Sequence, residues 1–176
     1  MDDWDAEKAG PKLIGTDIPH CDFTPRPAVH RIGGMHYISF FRRGKDGIPF
    51  ADIKQSEEAA AKMAEACVSY LSSLIRDFSG WVLVTTPRRR HADCFHLATE
   101  VCNRISSALG APFVDGAVQC YNHDRLHPEF HLLRPFTERK VILFDDIITT
   151  GATMTATWRL LSDREIVLNL IGISNR

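Results

Sequence analysis

Residues 141–153 constrain the fold of this chain more than any other stretch. They read Val-Ile-Leu-Phe-Asp-Asp-Ile-Ile-Thr-Thr-Gly-Ala-Thr. Four consecutive apolar residues are typical of a strand that is buried on both faces, as in a parallel sheet. The small hydroxyl residues around Gly151 indicate a tight turn. We therefore expect a strand at 141–144, then two acids, then a helix that begins at Gly151.

The two acids and the turn predict a site for a phosphorylated sugar. Asp145 and Asp146 follow the strand at its carboxyl end, where open α/β sheets bind their ligands. Backbone N–H groups of the turn, with a helix N-terminus behind them, can hold a phosphate. The carboxylates can accept hydrogen bonds from sugar hydroxyls or face a Mg²⁺ that the ligand brings. The competing interpretation is a pair of solvated acids before an ordinary helix.

The same thirteen residues resemble the phosphoribosyl-pyrophosphate (PRPP) motif of type I phosphoribosyltransferases, and every constrained position matches. The resemblance implies a doubly wound parallel α/β sheet with a Rossmann-like core. It also implies a pentosyltransferase of nucleotide metabolism that transfers 5-phosphoribose from PRPP to a nitrogenous base and releases pyrophosphate. Its cofactor would be Mg²⁺, held near the acids through the ligand and without a direct protein metal site. The catalytic residues would be Asp145 and Asp146, and the 5′-phosphate would bind to Thr149, Thr150, Gly151, Ala152 and Thr153.

A second anion loop is expected at the end of an earlier strand, residues 81–86. Its hydroxyl and guanidinium groups suit a highly charged leaving group. The resemblance assigns the pyrophosphate to Thr85, Thr86, Arg88 and Arg89. A basic loop exposed to solvent is the alternative interpretation. The sub-pattern is most similar to the ComF-like branch, although residues 91–95 replace its usual Arg-Gly-Phe-Asn-Gln run and a cysteine ribbon is missing.

Residues 116–140 show no clear period, and the resemblance implies a flexible loop here that closes over PRPP. Arg125, His127 and His131 are the candidates to reach the pyrophosphate. His123, His127 and His131 are spaced by four residues, but Pro128 interrupts the helix that a shared metal would need. We therefore expect a polar lid.

The motif also bears on the acceptor base. Enzymes of this superfamily that act on 6-oxopurines usually carry an acid where Thr149 stands and a lysine where Ala152 stands. Hypoxanthine and guanine are therefore disfavoured, while orotate-like, adenine-like and unassigned acceptors stay open. Two alternatives to a transferase also stay open: a non-catalytic PRPP- or nucleotide-sensing module, and a ComF-like protein linked to DNA uptake.

The rest of the chain predicts one compact domain with two parts. Residues 1–50 form an N-terminal arm and a β-hairpin hood, with Gly33-Gly34 as the turn of the hairpin at 28–41. Residues 51–176 form the α/β core. Its first helix should be capped by Ser56 and closed by Gly80, and its second should end at Gly110. A strand at 166–173 completes the core.

Composition excludes several classes of protein. The 176 residues carry a formal net charge of −1, so no basic field attracts nucleic acid and direct binding is not expected. Five scattered cysteines without a C-x-x-C pair argue for reduced thiols and a cytoplasmic protein. The sequence contains no apolar run of about 18 residues, so no membrane span is expected. The superfamily often forms dimers, so PRPP, a base and a second copy of the chain are the expected partners.

Overall fold

The computed structural model describes residues 17–88, 94–121, 127 and 129–176. Its strands are β1 His20–Cys21, β2 Ala28–Ile32, β3 Met35–Arg42, β4 Ile48–Pro49, β5 Trp81–Thr85, β6 Val118–Cys120, β7 Phe130–Leu132, β8 Lys140–Ile148 and β9 Ile166–Ser174. Its helices are α1 Phe50–Ile53, α2 Glu57–Leu74, α3 Leu97–Leu109 and α4 Ala152–Leu160.

The central sheet has five strands in the order β2-β3-β9-β8-β5. The pairs β3–β9, β9–β8 and β8–β5 are parallel, and only the edge strand β2 is antiparallel to its neighbour. Two-stranded ladders, β1 with β4 and β6 with β7, lie outside this sheet. The predicted α/β fold with a largely parallel sheet is therefore confirmed.

Two apolar layers cover the sheet on opposite faces. One contains inward residues of α2 and α3, such as Met63 and Val101, packed against Phe40, Leu83 and Ile142 of the strands. The other contains residues of α4 and of the β6–β7 ladder, packed against alternate residues of the same strands; its members include Met154, Leu161, Val118, Val84 and Leu143. Because helices cover both faces, the sheet is doubly wound, as predicted.

The hairpin at the start of the chain turns at Gly33-Gly34 as expected, and it belongs to the main sheet. Ile38 pairs with Leu170 of β9, and Tyr37 and Phe40 are buried on opposite faces. β3 is therefore an inner strand of the core. The further suggestion that residues 1–50 act as a hood stays a prediction, and residues 1–16 lie outside the described part.

Two boundaries differ from the sequence-based expectations. α2 ends at Leu74, six residues before Gly80, since the Asp77 carboxylate accepts hydrogen bonds from Ser79 and forms a turn there. Residues 116–140, expected to be irregular, contain the short antiparallel strands β6 and β7. The cap of α2 at Ser56 and the end of α3 before Gly110 are as predicted.

None of the helices within the described ranges is both long and apolar enough to cross a bilayer.

Candidate active site at the carboxyl ends of β5 and β8

The strand β8 is longer than the sequence indicated, and this places the two acids. It continues to Ile148 because β9 pairs with it as far as Ser174, whereas its pairing with β5 stops at Thr85 and Phe144. Asp145 and Asp146 therefore lie within β8, on the part that extends beyond the end of β5. The expectation that the strand stops at 144 is wrong, but the acids still lie at the carboxyl edge of the sheet.

At this edge the chain leaves β5 and β8 towards opposite faces of the sheet. α3, which follows β5, packs on one face, while α4, which follows β8, packs on the other. Ligands of open α/β sheets bind where adjacent connections diverge in this way. We call Thr86, Arg88, Asp145, Asp146 and residues 149–153 the strand-end site.

The two carboxylates are held by short local hydrogen bonds. Asp145 Oδ1 accepts from the Thr86 hydroxyl at 2.9 Å and from the Asp146 backbone N–H at 3.0 Å. Asp146 Oδ1 accepts from the Ile147 backbone N–H at 2.7 Å. Among the described residues, every hydrogen bond to these acids goes to an Oδ1 atom. The two Oδ2 atoms are thus the acceptors left for a ligand.

The acids repel each other in a partly buried place. Burial raises the pKa of Asp145 to about 7, and the negative charge of Asp146 adds to the rise. The Thr86 hydrogen bond and the charge of the exposed Lys54 oppose it. A cation or a developing positive charge beside the pair would relieve this repulsion.

The backbone of Asp146 can take its observed position because residue 172 in the neighbouring strand is a glycine. Gly172 lies opposite Asp146 in β9, and a Cβ there would be 2.6 Å from the Asp146 carbonyl oxygen and 2.7 Å from Met63 Sδ. Only a residue without a side chain fits between them. Sequence reasoning missed this residue, since a glycine within an apolar strand says only that another group approaches closely.

The turn before α4 is partly exposed to solvent, and the N-cap residue of the helix, Gly151, has no side chain. Thr149, Thr150 and Ala152 are exposed, and Gly151 is buried at a φ of 81° against Ile32 of the hairpin. α2 and α3 are capped by the side chains of their N-cap residues, Ser56 and His96, whereas the N-cap residue of α4 is Gly151, and the Thr150 hydroxyl accepts only a long hydrogen bond, 3.4 Å, from the Ala152 N–H. Backbone N–H groups in the first turn of a helix need external acceptors, which an anion can supply.

Arg88, which follows β5, is held by contacts within the protein. Arg88 Nη2 is 2.8 Å from both Asp115 Oδ2 and Thr99 Oγ1, and only 21% of its side chain is exposed. Thr85 and Thr86 are each 4% exposed. Arg88 is therefore already paired, and its role with Thr85 and Thr86 in binding pyrophosphate stays a prediction. Arg89 lies outside the described residues.

The flexible-loop candidates are placed only in part. His131 lies in β7 opposite Gln119, and its ring makes an edge contact with Tyr121 at 4.7 Å between centroids. The β6–β7 ladder packs on the α4 face of the sheet. Arg125 lies outside the described residues, and the roles of His127 and His131 stay predictions.

No sequence pattern pointed to His96, Thr99, Asp115 or Lys54, which the fold brings to this edge. A metal site made of protein side chains alone is not found there: the described residues contain no group of three or more His, Cys, Asp or Glu that could hold a metal ion.

No protein-family model matches the chain, and no curated protein matches its sequence. Among solved structures, adenine phosphoribosyltransferase from Saccharomyces cerevisiae, complexed with adenine and an imino-altritol bisphosphate, is 16% identical with a TM-score of 0.48. That likeness covers 84% of each chain. Adenine phosphoribosyltransferase from Leishmania tarentolae is 15% identical with a TM-score of 0.45, over 90% of this chain and 84% of its own. Similarity at this level carries no argument about activity.

Proposed function

We propose that this protein is a Mg²⁺-dependent phosphoribosyltransferase that transfers 5-phosphoribose from PRPP to a nitrogenous base and releases pyrophosphate. One observation carries the proposal. The acids of the PRPP-like motif lie on the part of β8 that extends beyond β5, directly before the N-terminus of α4, whose N-cap residue Gly151 has no side chain. A carboxylate pair beside a backbone anion site suits a phosphorylated sugar with free hydroxyls.

Each part of the strand-end site then has a task. The turn at residues 149–153 binds the 5′-phosphate through backbone N–H groups and hydroxyls. Asp145 and Asp146 orient the ribose hydroxyls through their Oδ2 atoms and stabilise the positive charge of an oxocarbenium-like transition state. The loop of Thr85, Thr86 and Arg88 lies on the side where pyrophosphate departs. Catalysis is thus mostly positioning and electrostatics.

The carboxylates fit a Mg²⁺ that the substrate holds in part. Mg²⁺ is usually bound by one or two carboxylates together with substrate phosphates and water. Asp145 and Asp146 would lie near such an ion, which the ligand would hold, and their mutual repulsion favours a cation beside them. When bound, the ion would neutralise charge on the pyrophosphate.

The acceptor is proposed to be a base other than a 6-oxopurine. Thr149 and Ala152 stand where 6-oxopurine enzymes of this superfamily usually carry an acid and a lysine. Both residues are exposed in the turn.

Calorimetry with PRPP and Mg²⁺, followed by a pyrophosphate-release assay against a panel of purines and pyrimidines, tests the proposal. We expect PRPP to bind and one base of the panel to trigger release. PRPP binding is also expected to raise the melting temperature in proportion to occupancy. Failure of the folded protein to bind either PRPP or ribose 5-phosphate would refute the proposal.

A second candidate is a PRPP-sensing module without transferase activity. The pairing of Arg88 with Asp115 favours it, because a guanidinium already neutralised by a carboxylate is a weaker ligand for a leaving pyrophosphate. Binding of PRPP without pyrophosphate release against the whole panel would favour the sensor.

A further inference from the structure

His96 directly precedes α3 and caps it with its imidazole. The backbone N–H of Thr99 donates to His96 Nδ1 at 3.3 Å. An imidazole nitrogen that accepts a hydrogen bond carries no proton. In the neutral ring the proton is therefore on Nε2, which has no hydrogen-bond partner among the described residues.

The Thr99 hydroxyl fixes the same tautomer a second time. Its oxygen accepts from Arg88 Nη2 at 2.8 Å, and its own proton can go to His96 Nδ1 at 2.8 Å or to Asp115 Oδ1 at 3.5 Å. The shorter contact is the stronger hydrogen bond. A directed chain results, in which Arg88 donates to Thr99 and Thr99 donates to His96.

The ion pair of Arg88 with Asp115 anchors this chain. The carboxylate of Asp115 is 2.8 Å from Arg88 Nη2, the same nitrogen that contacts Thr99. The guanidinium is thereby held in one orientation, and so is the hydroxyl. These contacts orient the imidazole of His96 through the Thr99 hydroxyl.

His96 lies next to the strand-end site, because Thr99 joins its ring to Arg88. Burial lowers its pKa, as do the charges of Arg88 and Lys54, whereas Asp146 and Asp115 oppose the fall. The ring is therefore neutral near pH 7, and it feels the charges of Arg88 and Asp146, both of which belong to the strand-end site. A neutral imidazole with its proton on Nε2 is a hydrogen-bond donor that leaves the charge balance of the site unchanged.

We propose that His96 is a pyrophosphate-binding residue, whose Nε2–H donates to a pyrophosphate oxygen of the substrate, and that Arg88, Thr99 and Asp115 position it. This inference rests on the proposed function and adds a residue to it. A capping role alone accounts for Nδ1. It does not explain why Arg88, Thr99 and Asp115 fix the orientation of Nε2.

Cap-preserving variants separate the two roles. Serine and asparagine are good N-cap residues, so His96→Ser and His96→Asn keep an acceptor for the Thr99 N–H and should fold. Serine has no donor that reaches the position of Nε2, and asparagine has a shorter one. His36→Ser, an exposed histidine on β3, is the matched control.

The probes are inorganic pyrophosphate and ribose 5-phosphate, each titrated by calorimetry with Mg²⁺. For His96→Ser we expect pyrophosphate affinity to fall about tenfold, which is about 1.4 kcal/mol. Ribose 5-phosphate affinity should stay within about twofold, and His96→Asn should lie between Ser and wild type. His36→Ser should match the wild type with both probes.

Two results would overturn the inference. One is an unchanged pyrophosphate affinity in His96→Ser; the other is an equal loss for both probes, which indicates a structural change in the whole site. If the wild type itself binds neither ribose 5-phosphate nor PRPP, the proposed function fails first and this inference falls with it. The three outcomes are distinguishable in the same set of titrations.

Discussion

The ends of β5 and β8 lie at the same edge of the sheet, but the segments that follow them are held by different kinds of contact. After β8, the turn at residues 149–153 is partly exposed and depends on backbone groups and on residues next to each other in sequence. After β5, Arg88 is tied to Thr99 and Asp115, which lie 11 and 27 residues further along the chain. A site made of backbone is ready for an anion as soon as the local turn forms. A site made of side chains depends on which residues the fold brings to it.

The largest effect on turnover should come from Asp146→Asn, which tests whether the residues after β8 carry the chemistry. The substitution keeps the shape and removes the charge beside the ribose. With a proven acceptor, steady-state turnover is expected to fall at least about tenfold, or about 1.4 kcal/mol of barrier. Asp163→Asn, an exposed acid beyond α4, serves as the control. An unchanged rate would indicate that the residues after β5, and not Asp146, carry the chemistry.

Gly172→Ala should disturb the β8 side without touching any ligand. The new Cβ would meet the Asp146 carbonyl oxygen and Met63 Sδ, so the strand or the helix must move. Overpacking of this kind costs about 1–3 kcal/mol in unfolding free energy. PRPP affinity should fall as well, because Asp146 shifts. Thermal melts and PRPP titrations measure both effects.

Gly44→Ala is the matched control for that substitution, since a Cβ there would meet only one backbone atom, at 4.0 Å. If Gly172→Ala had the stability and the PRPP affinity of the wild type, then β9 would accommodate the added Cβ, and Gly172 would not position the acid.

A smaller effect, with a defined pH dependence, is expected for Asp145→Asn. The pKa of Asp145 is raised from 3.8 to about 7, so the folded state holds its proton more tightly than the unfolded state does. The free energy of unfolding therefore decreases as pH rises from about 4 to about 7, and then levels off. Asparagine removes this loss and keeps an Oδ1 acceptor for Thr86.

The Asp145→Asn variant should match the wild type near pH 4 and be more stable at pH 8. The gain should be on the order of 1 kcal/mol, or about 2–4 °C in Tm. Turnover should fall, since a charge of the site is lost. Melting curves between pH 4 and pH 8 measure the dependence, and a constant difference between the two proteins would contradict the raised pKa.

The contrast between the two strand ends also explains what the sequence could predict. The acids, the turn and the start of α4 are contiguous, so local patterns located them. The length of β8 was underestimated because it depends on β9, which continues to pair beyond the acids. The β6–β7 ladder was missed because strands of three residues are too short to show a period.

The residues around Arg88 could not be found from sequence for a different reason. Three arginines in a row indicated a basic loop, but the sequence does not show that Asp115 neutralises Arg88 or that Thr99 links it to His96. Such contacts join residues across α3 and the loop after it. They depend on tertiary packing, and no motif encodes them.

The smallest effect is expected for Thr86→Val, which removes a hydrogen bond between the two strand ends. The Thr86 hydroxyl comes from the β5 side, and Asp145 Oδ1, which accepts it at 2.9 Å, belongs to β8. Valine keeps the buried volume, and the Asp146 backbone N–H still donates to the same oxygen. We expect turnover to change by about twofold, close to 0.5 kcal/mol, the low end for one hydrogen bond.

The direction of the pKa change gives Thr86→Val a second readout. Because the hydrogen bond lowers the pKa of Asp145, its loss should extend the pH-dependent fall in stability to a higher pH. In a double-mutant cycle with Asp145→Asn, this pH shift should disappear, since no titrating group remains at position 145. Additive effects of the two substitutions at every pH would show that the strand ends are energetically independent. Thr86 would then serve only to pack the end of β5.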